Sequence, residues 1–465
     1  MKRSSRLWLT PLALAVGQCF GDTSIIVNNL SEGSVIGQCT LSDAVTALNT
    51  LAAVNACSAG DGGNDTIDLT VFTAPSKITF SSAPDHYSAL LLAKPATIKG
   101  SLDIQGQPLV TIERSTVSGV PNFRLIATNS DLSINGIALN NGRTSYNGGA
   151  IYAGGPITLH ISHAAVTGNS ASEGGGVYVS YIAESTMIDH SVISGNTATM
   201  DGGGVEEHGT SGSVTLLDTQ VIGNSAWSGG GIYADGAAIL TNVTVSSNRA
   251  AGDGGGIDAG SLTATGSTFS GNSSTSHGGG LAVFGNAFLT NSTISGNSST
   301  YAGGGLFAFT ANLNFCTVSG NSYTMPGYMG GGLYVAQSAT LTSSILTGNV
   351  GNDVMAPYEI TVGGSYNIIG VSNDTLPADT RECDAKLGPL ASFGGATKTI
   401  PLLVGSCAID TGPTNPNVST DQRGYPRPIG LSGTVAHADV GAFEKQSIDD
   451  PDFIFINGFG SAGTY

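Results

Sequence analysis

The chain has 465 residues, of which 68 are glycine and only 11% are charged, and its formal net charge is −17. Because charged residues are so few and hydrophobic residues make up 40%, the composition excludes both a charged, disordered polymer and a helix-rich domain. The frequent glycine implies frequent turns. The negative charge argues against nucleic acid as a partner, since phosphates would be repelled, and leaves no basic stripe for an anionic membrane surface.

A secretory leader is predicted over residues 1–21. Lys2, Arg3 and Arg6 precede an apolar run, 7–16, and small residues precede Asp22, where the mature chain is expected to begin. Cys19 raises the alternative of a lipoprotein, which we place below simple cleavage because the preceding residue is a glutamine. No later stretch approaches the roughly 18 apolar residues that cross a bilayer. We therefore expect a secreted, extracellular or outer-membrane-surface protein with no transmembrane helix.

Residues 22–75 are predicted to form an N-terminal cap with a short helix that begins near Ser42 or Asp43, followed by a strand at 65–69. The apolar residues expected on one face of this helix are Leu41, Ala44, Val45, Leu48, Leu51 and Ala52.

Export permits disulfides, and five cysteines remain after the leader. Cys39 and Cys57 lie in one flanking region, and Cys383 and Cys407 lie in the other, which predicts two local disulfides. Cys316 stands alone among the repeats, and we interpret it as a buried free thiol.

Repeats occupy residues 76–365. Eight units of an apolar residue, two mostly small residues and asparagine recur at steps of 24 to 28, ending at Asn169, Asn196, Asn224, Asn248, Asn272, Asn297, Asn321 and Asn349. A glycine-rich triplet followed by Ile, Val or Leu recurs in the same rhythm. This period, with short β-type stretches and no helical periodicity, predicts an all-β right-handed parallel β-helix, a pectin-lyase-like solenoid with a helical N-terminal cap and an irregular C-terminal cap.

Two positions counted back from each asparagine are predicted to point into the core: the eighth is apolar and the fifth is small. Cys316 occupies the second of these series, which favours a packing role over a reactive thiol. The asparagines and glycine triplets are interpreted as structural residues that shape corners and turns.

The second residue after each glycine triplet forms a series of aromatic and acidic side chains. Its members are Tyr152, Tyr178, Glu206, Tyr233, Asp258, Ala282, Phe307 and Tyr334. Tyr178 and Tyr233 could stack sugar rings, while Glu206 and Asp258, two rungs or about 9.6 Å apart, suit an inverting glycosidase; Glu207 and His208 adjoin them. The interpretation we favour is plain aromatic stacking on a solvated sheet face.

A second series, the sixth residue before each asparagine, places His163, His190 and Asp218 on successive rungs, and these residue types can bind a divalent metal. Polar stacking on an outer face is the interpretation we favour, and no cofactor is expected. Glu173 and Asp201, which precede two glycine triplets, could share Ca²⁺, although calcium takes six to eight oxygen ligands.

Three resemblances to known families follow from particular motifs. Residues 39–44 and 63–69 resemble the cysteine-led (CSLREA-like) region that precedes many bacterial surface β-helices, and Gly148–Ile151 and Phe269–Asn272 resemble the repeats of polymorphic outer-membrane proteins. Residues 387–390, 394–397, 408–412, 421–427 and 439–444 resemble the choice-of-anchor Q region.

The choice-of-anchor Q resemblance implies an exported β-helix protein, with a C-terminal region at 366–445 and a tail at 446–465. The charged residues of this region are interpreted as ion pairs of the cap rather than catalysts. They are Asp410, Asp421, Arg423, Asp439 and Glu444.

Two functions remain open. The first is a non-enzymatic adhesion, matrix or glycan-binding role at the cell surface or in secretion, with an extracellular glycan or cell-surface component as partner. The alternative is a polysaccharide lyase or glycoside hydrolase that uses a groove near Glu206 and Asp258. Walls for a groove need long insertions, yet only 206–213 and 323–329 carry modest extra length, which favours the first.

Overall fold

In a computed structural model the chain forms an all-β parallel β-helix, which confirms the predicted fold class. The described residues are 22–180, 185–209, 212–325, 330–357, 360–429 and 435–446. The predicted leader, most of the tail and parts of both predicted loop walls lie outside them. Within these residues no helix is long and apolar enough to cross a membrane.

Three parallel sheets run along the stack. The described strands of the first sheet are Ser24–Ile26, Asp65–Asp68, Ser88–Leu92, Ala96–Lys99, Arg124–Thr128, Leu132–Asn135, Ile151–Ala153, Thr158–Ser162, Val177–Val179, Ser185–Asp189, Val205–Glu207, Ser213–Leu217, Ile232–Thr241, Ile257–Thr265, Leu281–Thr290, Leu306–Asn314, Leu333–Thr342, Val354–Met355 and Val362–Ser365. Those of the second are Ser76–Phe80, Val110–Arg114, Ile137–Asn140, Ala165–Thr167, Val192–Ser194, Gln220–Ile222, Thr244–Ser246, Thr268–Ser270, Thr293–Ser295, Thr317–Ser319, Ile345–Thr347 and Ile368–Ile369. Those of the third are Ser170–Ala171, Thr197–Ala198, Ser225–Ala226, Arg249–Ala250, Ser273–Ser274, Ser298–Ser299 and Ser322–Tyr323.

Both series predicted to face inward are buried. The apolar series runs from Ile161 to Leu341, and the small series, from Ala164 to Ser344, includes Cys316 as a free, buried thiol. Burial raises the pKa of Cys316 to about 12, so the thiol stays protonated and packs as a small apolar residue. Equivalent side chains of successive rungs therefore stack on one another, and together they form a buried core that no single rung could form.

The repeated asparagines form a buried hydrogen-bonded ladder at the corner between the second and third sheets. Asn272 is typical: its side-chain amide donates to the carbonyl oxygen of Val245 and to Oδ1 of Asn297, and its own Oδ1 accepts from Asn248. The ladder ends where Asn349 donates to Oδ1 of Asp353. The predicted role of these asparagines as corner residues is confirmed.

The N-terminal helix spans Leu41–Thr50, and the side chain of Thr40 caps it by accepting from the backbone N–H of Asp43. Leu41, Ala44, Val45 and Leu48 are buried as predicted. The prediction was wrong for Leu51 and Ala52. Leu51 is the C-cap residue in the left-handed conformation (φ 54°), so the helix ends before either side chain can reach the buried face.

The described residues of the C-terminal region, 377–429 and 435–446, pack along the flank of the β-helix as well as following its last strands. Gln422 joins the two parts, because its amide nitrogen donates to Thr268 Oγ1 and to the carbonyl oxygen of Lys398, while its oxygen accepts from Thr293. Both predicted disulfides, Cys39–Cys57 and Cys383–Cys407, are formed.

Candidate functional site

The aromatic and acidic series after the glycine triplets is a true lateral stack on the first sheet. Strand pairing places Tyr178 beside Glu206, Glu206 beside Tyr233 and Tyr233 beside Asp258. The rings of Tyr152 and Tyr178 stack with centroids 5.5 Å apart and planes 1° from parallel. Glu206 and Asp258 are therefore two rungs apart, as the sequence predicts.

The acidic part of this face is not solvated, contrary to expectation. Glu206 is 1% exposed and Asp258 is 6% exposed, and Tyr178 is also buried. The glycine-rich turns fold back over the strands that follow them: a Cβ on Gly202, whose φ is +62°, would lie 2.5 Å from the Cβ of Glu206. Because any side chain at position 202 would collide with the strand, this position must be glycine. The turn that contains it covers the carboxyl groups.

The buried carboxyl groups are strongly perturbed. Burial, reinforced by the negative charges of Glu173 and Asp201, raises the pKa of Glu206 to about 9. Burial and the charges of Asp253, Asp201 and Asp235 raise the pKa of Asp258 to about 8. Both carboxyls are therefore protonated at neutral pH, and Glu206 Oε2 accepts a hydrogen bond from the backbone N–H of Gly174.

Glu207 does not join Glu206 on the same face. Strand pairing aligns it with Val179 and Ala234, which are buried apolar residues of the neighbouring strands. Its Oε2 is buried without a hydrogen-bond partner, and burial raises the pKa of Glu207 to about 7. His208 lies on the outside, with Nδ1 3.3 Å from Asp235 Oδ2 and 3.9 Å from Glu206 Oε1.

Sequence reasoning missed a row of large side chains, which we name the aromatic corner: the exposed Tyr146, Met200 and Trp227 and the half-buried Tyr301. These residues hold the second position before a glycine triplet. A continuous backbone ladder stacks that position from rung to rung, running through Tyr146, Ser172, Met200, Trp227, Gly252, Ser276 and Tyr301. The signal was present in the sequence as the position just ahead of the acidic series that contains Glu173 and Asp201.

Trp227 is 61% exposed and Met200 is 49% exposed. With Thr199 and Asp201 they line a depression of about 370 Å³. Tyr146 packs edge-on against the exposed ring of Tyr87, with centroids 5.4 Å apart. Such a surface offers flat apolar faces beside carboxylate acceptors, which is the chemistry that holds neutral polar ligands.

The metal-ligating types predicted at His163, His190 and Asp218 lie on a different corner, between the first and second sheets. The rings of His163 and His190 stack with centroids 4.8 Å apart, and His190 Nε2 lies 3.6 Å from Asp218 Oδ2. Asp189, which the sequence did not single out, contacts both His190, its neighbour in sequence, and His160 on the preceding rung. This corner and the aromatic corner are on separate elements and do not form one site.

The C-terminal charged residues form a buried network. Arg423 Nε lies 2.8 Å from Asp421 Oδ2, and Arg427 Nε lies 3.2 Å from Glu444 Oε2. Asp439 accepts from the backbone N–H of Asp410. These contacts connect segments of the C-terminal region to one another.

No protein-family model matches the sequence, and no curated protein matches it. Among solved structures, the crystal structure of pectate lyase Pel9A is similar to this chain at 14% sequence identity, with a TM-score of 0.45 and coverage of 92% of this chain and 98% of that one. The likeness concerns the β-helix architecture alone.

Proposed function

We propose that the protein is an exported, non-enzymatic glycan-binding protein that uses the aromatic corner to hold an extended neutral polysaccharide. The observation that carries this proposal is the exposed Trp227 and Met200 pair around a depression that Asp201 borders. Export rests on the predicted leader, and a cell-surface or secreted location on the resemblance to choice-of-anchor Q proteins.

The arrangement of the corner favours a chain-like ligand. Tyr146, Trp227 and Tyr301 are separated by three rungs each, which is about 14 Å at the usual spacing of strands. Single exposed aromatic residues are ordinary, but a row along the axis of a solenoid can contact a polymer at several points. Aromatic rings of this kind dominate the energetics of many binding surfaces.

The acidic residues beside the aromatic corner favour neutral over acidic polysaccharides as ligands. Glu173, Asp201 and Asp253 hold the position next to the aromatic corner, and the whole chain carries a net charge of −17. Carboxylates accept hydrogen bonds from sugar hydroxyls but repel uronates and sulfated sugars. We therefore expect neutral polysaccharides to bind and polygalacturonate to bind poorly.

Retention on insoluble neutral polysaccharides tests this proposal. Trp227→Ala should weaken retention about tenfold or more, because it removes the central ring of the row. Phe288→Ala, which removes a comparably exposed ring from the strand Leu281–Thr290 outside the corner, is the matched control and should bind like the wild type. Equal retention of all three proteins would contradict the assignment of the aromatic corner.

The alternative, a polysaccharide lyase or glycoside hydrolase, is favoured by the raised pKa values of Glu206 and Asp258, because perturbed carboxyls often mark active sites. An inverting mechanism, however, needs one ionised carboxylate as a base and needs both groups to reach the substrate. Here both are protonated at neutral pH and lie beneath glycine turns, so binding without cleavage is the stronger proposal.

A further inference from the structure

A group of imidazoles and carboxylates lies at the corner between the first and second sheets, away from the aromatic corner. His163 and His190 occupy equivalent positions on adjacent rungs, with φ of 47° and 46°. Other rungs fill the same corner with Asn242 and Gly266, residue types suited to a left-handed backbone. The corner thus does not require histidine, yet two successive rungs carry it and a third carries Asp218.

Asp189 is the centre of this group. It is buried, its Oδ1 accepts from Ser162 Oγ at 2.7 Å, and its two oxygens lie 2.5 Å from His160 Nε2 and 2.9 Å from His190 Nδ1. Ser162 Oγ also lies 2.9 Å from His163 Nδ1. One potential ligand atom from each of His163, Asp189 and His190 lies within 4.8 Å of the others.

We infer that His163, Asp189 and His190 form a binding site for a divalent transition-metal ion of the Zn²⁺ type. Two imidazoles and one carboxylate are a common ligand set for such ions, whereas Ca²⁺ takes six to eight oxygen ligands. Ligand nitrogens in a tetrahedral site are roughly 3.3 Å apart, since each lies about 2.0–2.1 Å from the ion. The two stacked rings must turn out of parallel for their nitrogens to face one ion. There is room for this rotation because His190 is exposed and His163 is half-buried.

The surrounding residues supply what such a site needs beyond its ligands. His160 and Ser162 hold Asp189 in place by hydrogen bonds, and Asp218 faces the outer nitrogen of His190. Groups that orient metal ligands in this way typically change affinity by about 10–100-fold. The fourth position of the ion would be filled by water.

The inference is tested by calorimetric titration of the metal-stripped full chain with ZnCl₂ and, separately, with CaCl₂. The expected result is one Zn²⁺ ion per chain with much weaker binding of Ca²⁺. His163→Asn, His190→Asn and Asp189→Asn should each weaken Zn²⁺ binding by at least about tenfold. The two histidine variants are expected to fold, because asparagine already occupies the equivalent corner position at Asn242 and Asn291.

His277→Asn is the matched control, since His277 also pairs with an aspartate, Asp253, but on the glycine-triplet turn. It should bind Zn²⁺ like the wild type. A second readout is the visible absorption of the Co²⁺-loaded chain, which should show a four-coordinate site and disappear in His190→Asn. Absence of stoichiometric Zn²⁺ binding, or binding that all three ligand variants leave unchanged, would overturn the inference.

Discussion

The asparagine ladder shows how one side chain can hold neighbouring rungs together. The amide of Asn272 donates to the backbone of the preceding rung and to the next asparagine, and its oxygen accepts from the asparagine before it. All of these groups are buried, so none can exchange its partner for bulk water. A buried polar group left without a partner costs about 1–3 kcal/mol.

Asn272→Ala should therefore lower the free energy of unfolding by about 2–4 kcal/mol, because it removes the hydrogen-bond partner of the Val245 carbonyl and of the Asn248 amide. Chemical denaturation measures the change. Asn286→Ala, at an exposed position of the same region, should stay within about 0.5 kcal/mol of the wild type. Equal effects of the two substitutions would show that the ladder does not stabilise the stack.

Glu206, unlike the stabilising asparagines, destabilises the fold at high pH. Its pKa is raised to about 9 in the folded chain, against an ordinary value of 4.5. Above pH 4.5 the unfolded chain releases this proton while the folded chain retains it, so stability falls as the pH rises from about 4.5 to 9.

Glu206→Gln should flatten this part of the stability profile and raise the free energy of unfolding at pH 8 on the order of 2–4 kcal/mol. Glutamine keeps an oxygen that can accept from the Gly174 amide, which isolates the effect of ionisation. Denaturation between pH 4 and 9 measures it, with the exposed Glu382→Gln as control. A variant profile parallel to that of the wild type would mean that Glu206 is not protonated in the folded chain.

The sheets, the core series and the corners could be read from the sequence because each repeats along the chain. Register follows from the asparagines and glycine triplets, and strand pairing then places Tyr178, Glu206 and Asp258 in one stack. Their burial could not be read in the same way. Their burial depends on how far the turn that contains Gly202 folds back over the following strand. This is a property of the backbone path of the turn rather than of residue type.

The proposed metal site and the aromatic corner were also only partly visible in the sequence. His163, His190 and Asp218 were visible as a repeating series, but Asp189 and His160 come from other repeat positions and meet them only in three dimensions. Trp227 and Met200 were overlooked because their series is mixed, containing Ser172, Gly252 and Ser276 between the large apolar residues.

Several side chains dock the C-terminal region on the β-helix, among them Asn291, which donates to the carbonyl oxygen of Thr420, and Thr397, which donates to that of Gly266. The buried amide of Gln422 contacts Thr268 and Thr293 of the β-helix as well as Thr397 and Lys398 of the C-terminal region. Gln422→Ala should lower the free energy of unfolding by about 2–3 kcal/mol and speed amide hydrogen exchange around residues 397–399, because the buried hydrogen bonds that its amide makes to both parts are lost. The exposed Gln105→Ala is the control, and slow exchange that persists in Gln422→Ala would show that other contacts hold the region.

The whole molecule presents a long, acidic and stiff surface along which equivalent positions recur at every rung. Repetition of this kind suits the binding of an extended ligand, whereas an active site needs a departure from repetition, such as a groove walled by insertions. In the described rungs, the carboxyls with the most strongly raised pKa values, Glu206 and Asp258, are covered by turns, whereas the exposed rings of Tyr146 and Trp227 are on the adjacent corner.

The most direct test incubates residues 22–465 with a panel of neutral and acidic polysaccharides, with and without Ca²⁺. It measures both the bound protein and the released products, as reducing ends and as unsaturated sugars. We predict retention on neutral polysaccharides that Trp227→Ala reduces, with no products from any member of the panel. Cleavage that Glu206→Gln or Asp258→Asn abolishes would contradict the proposal and place an active site beneath the glycine turns.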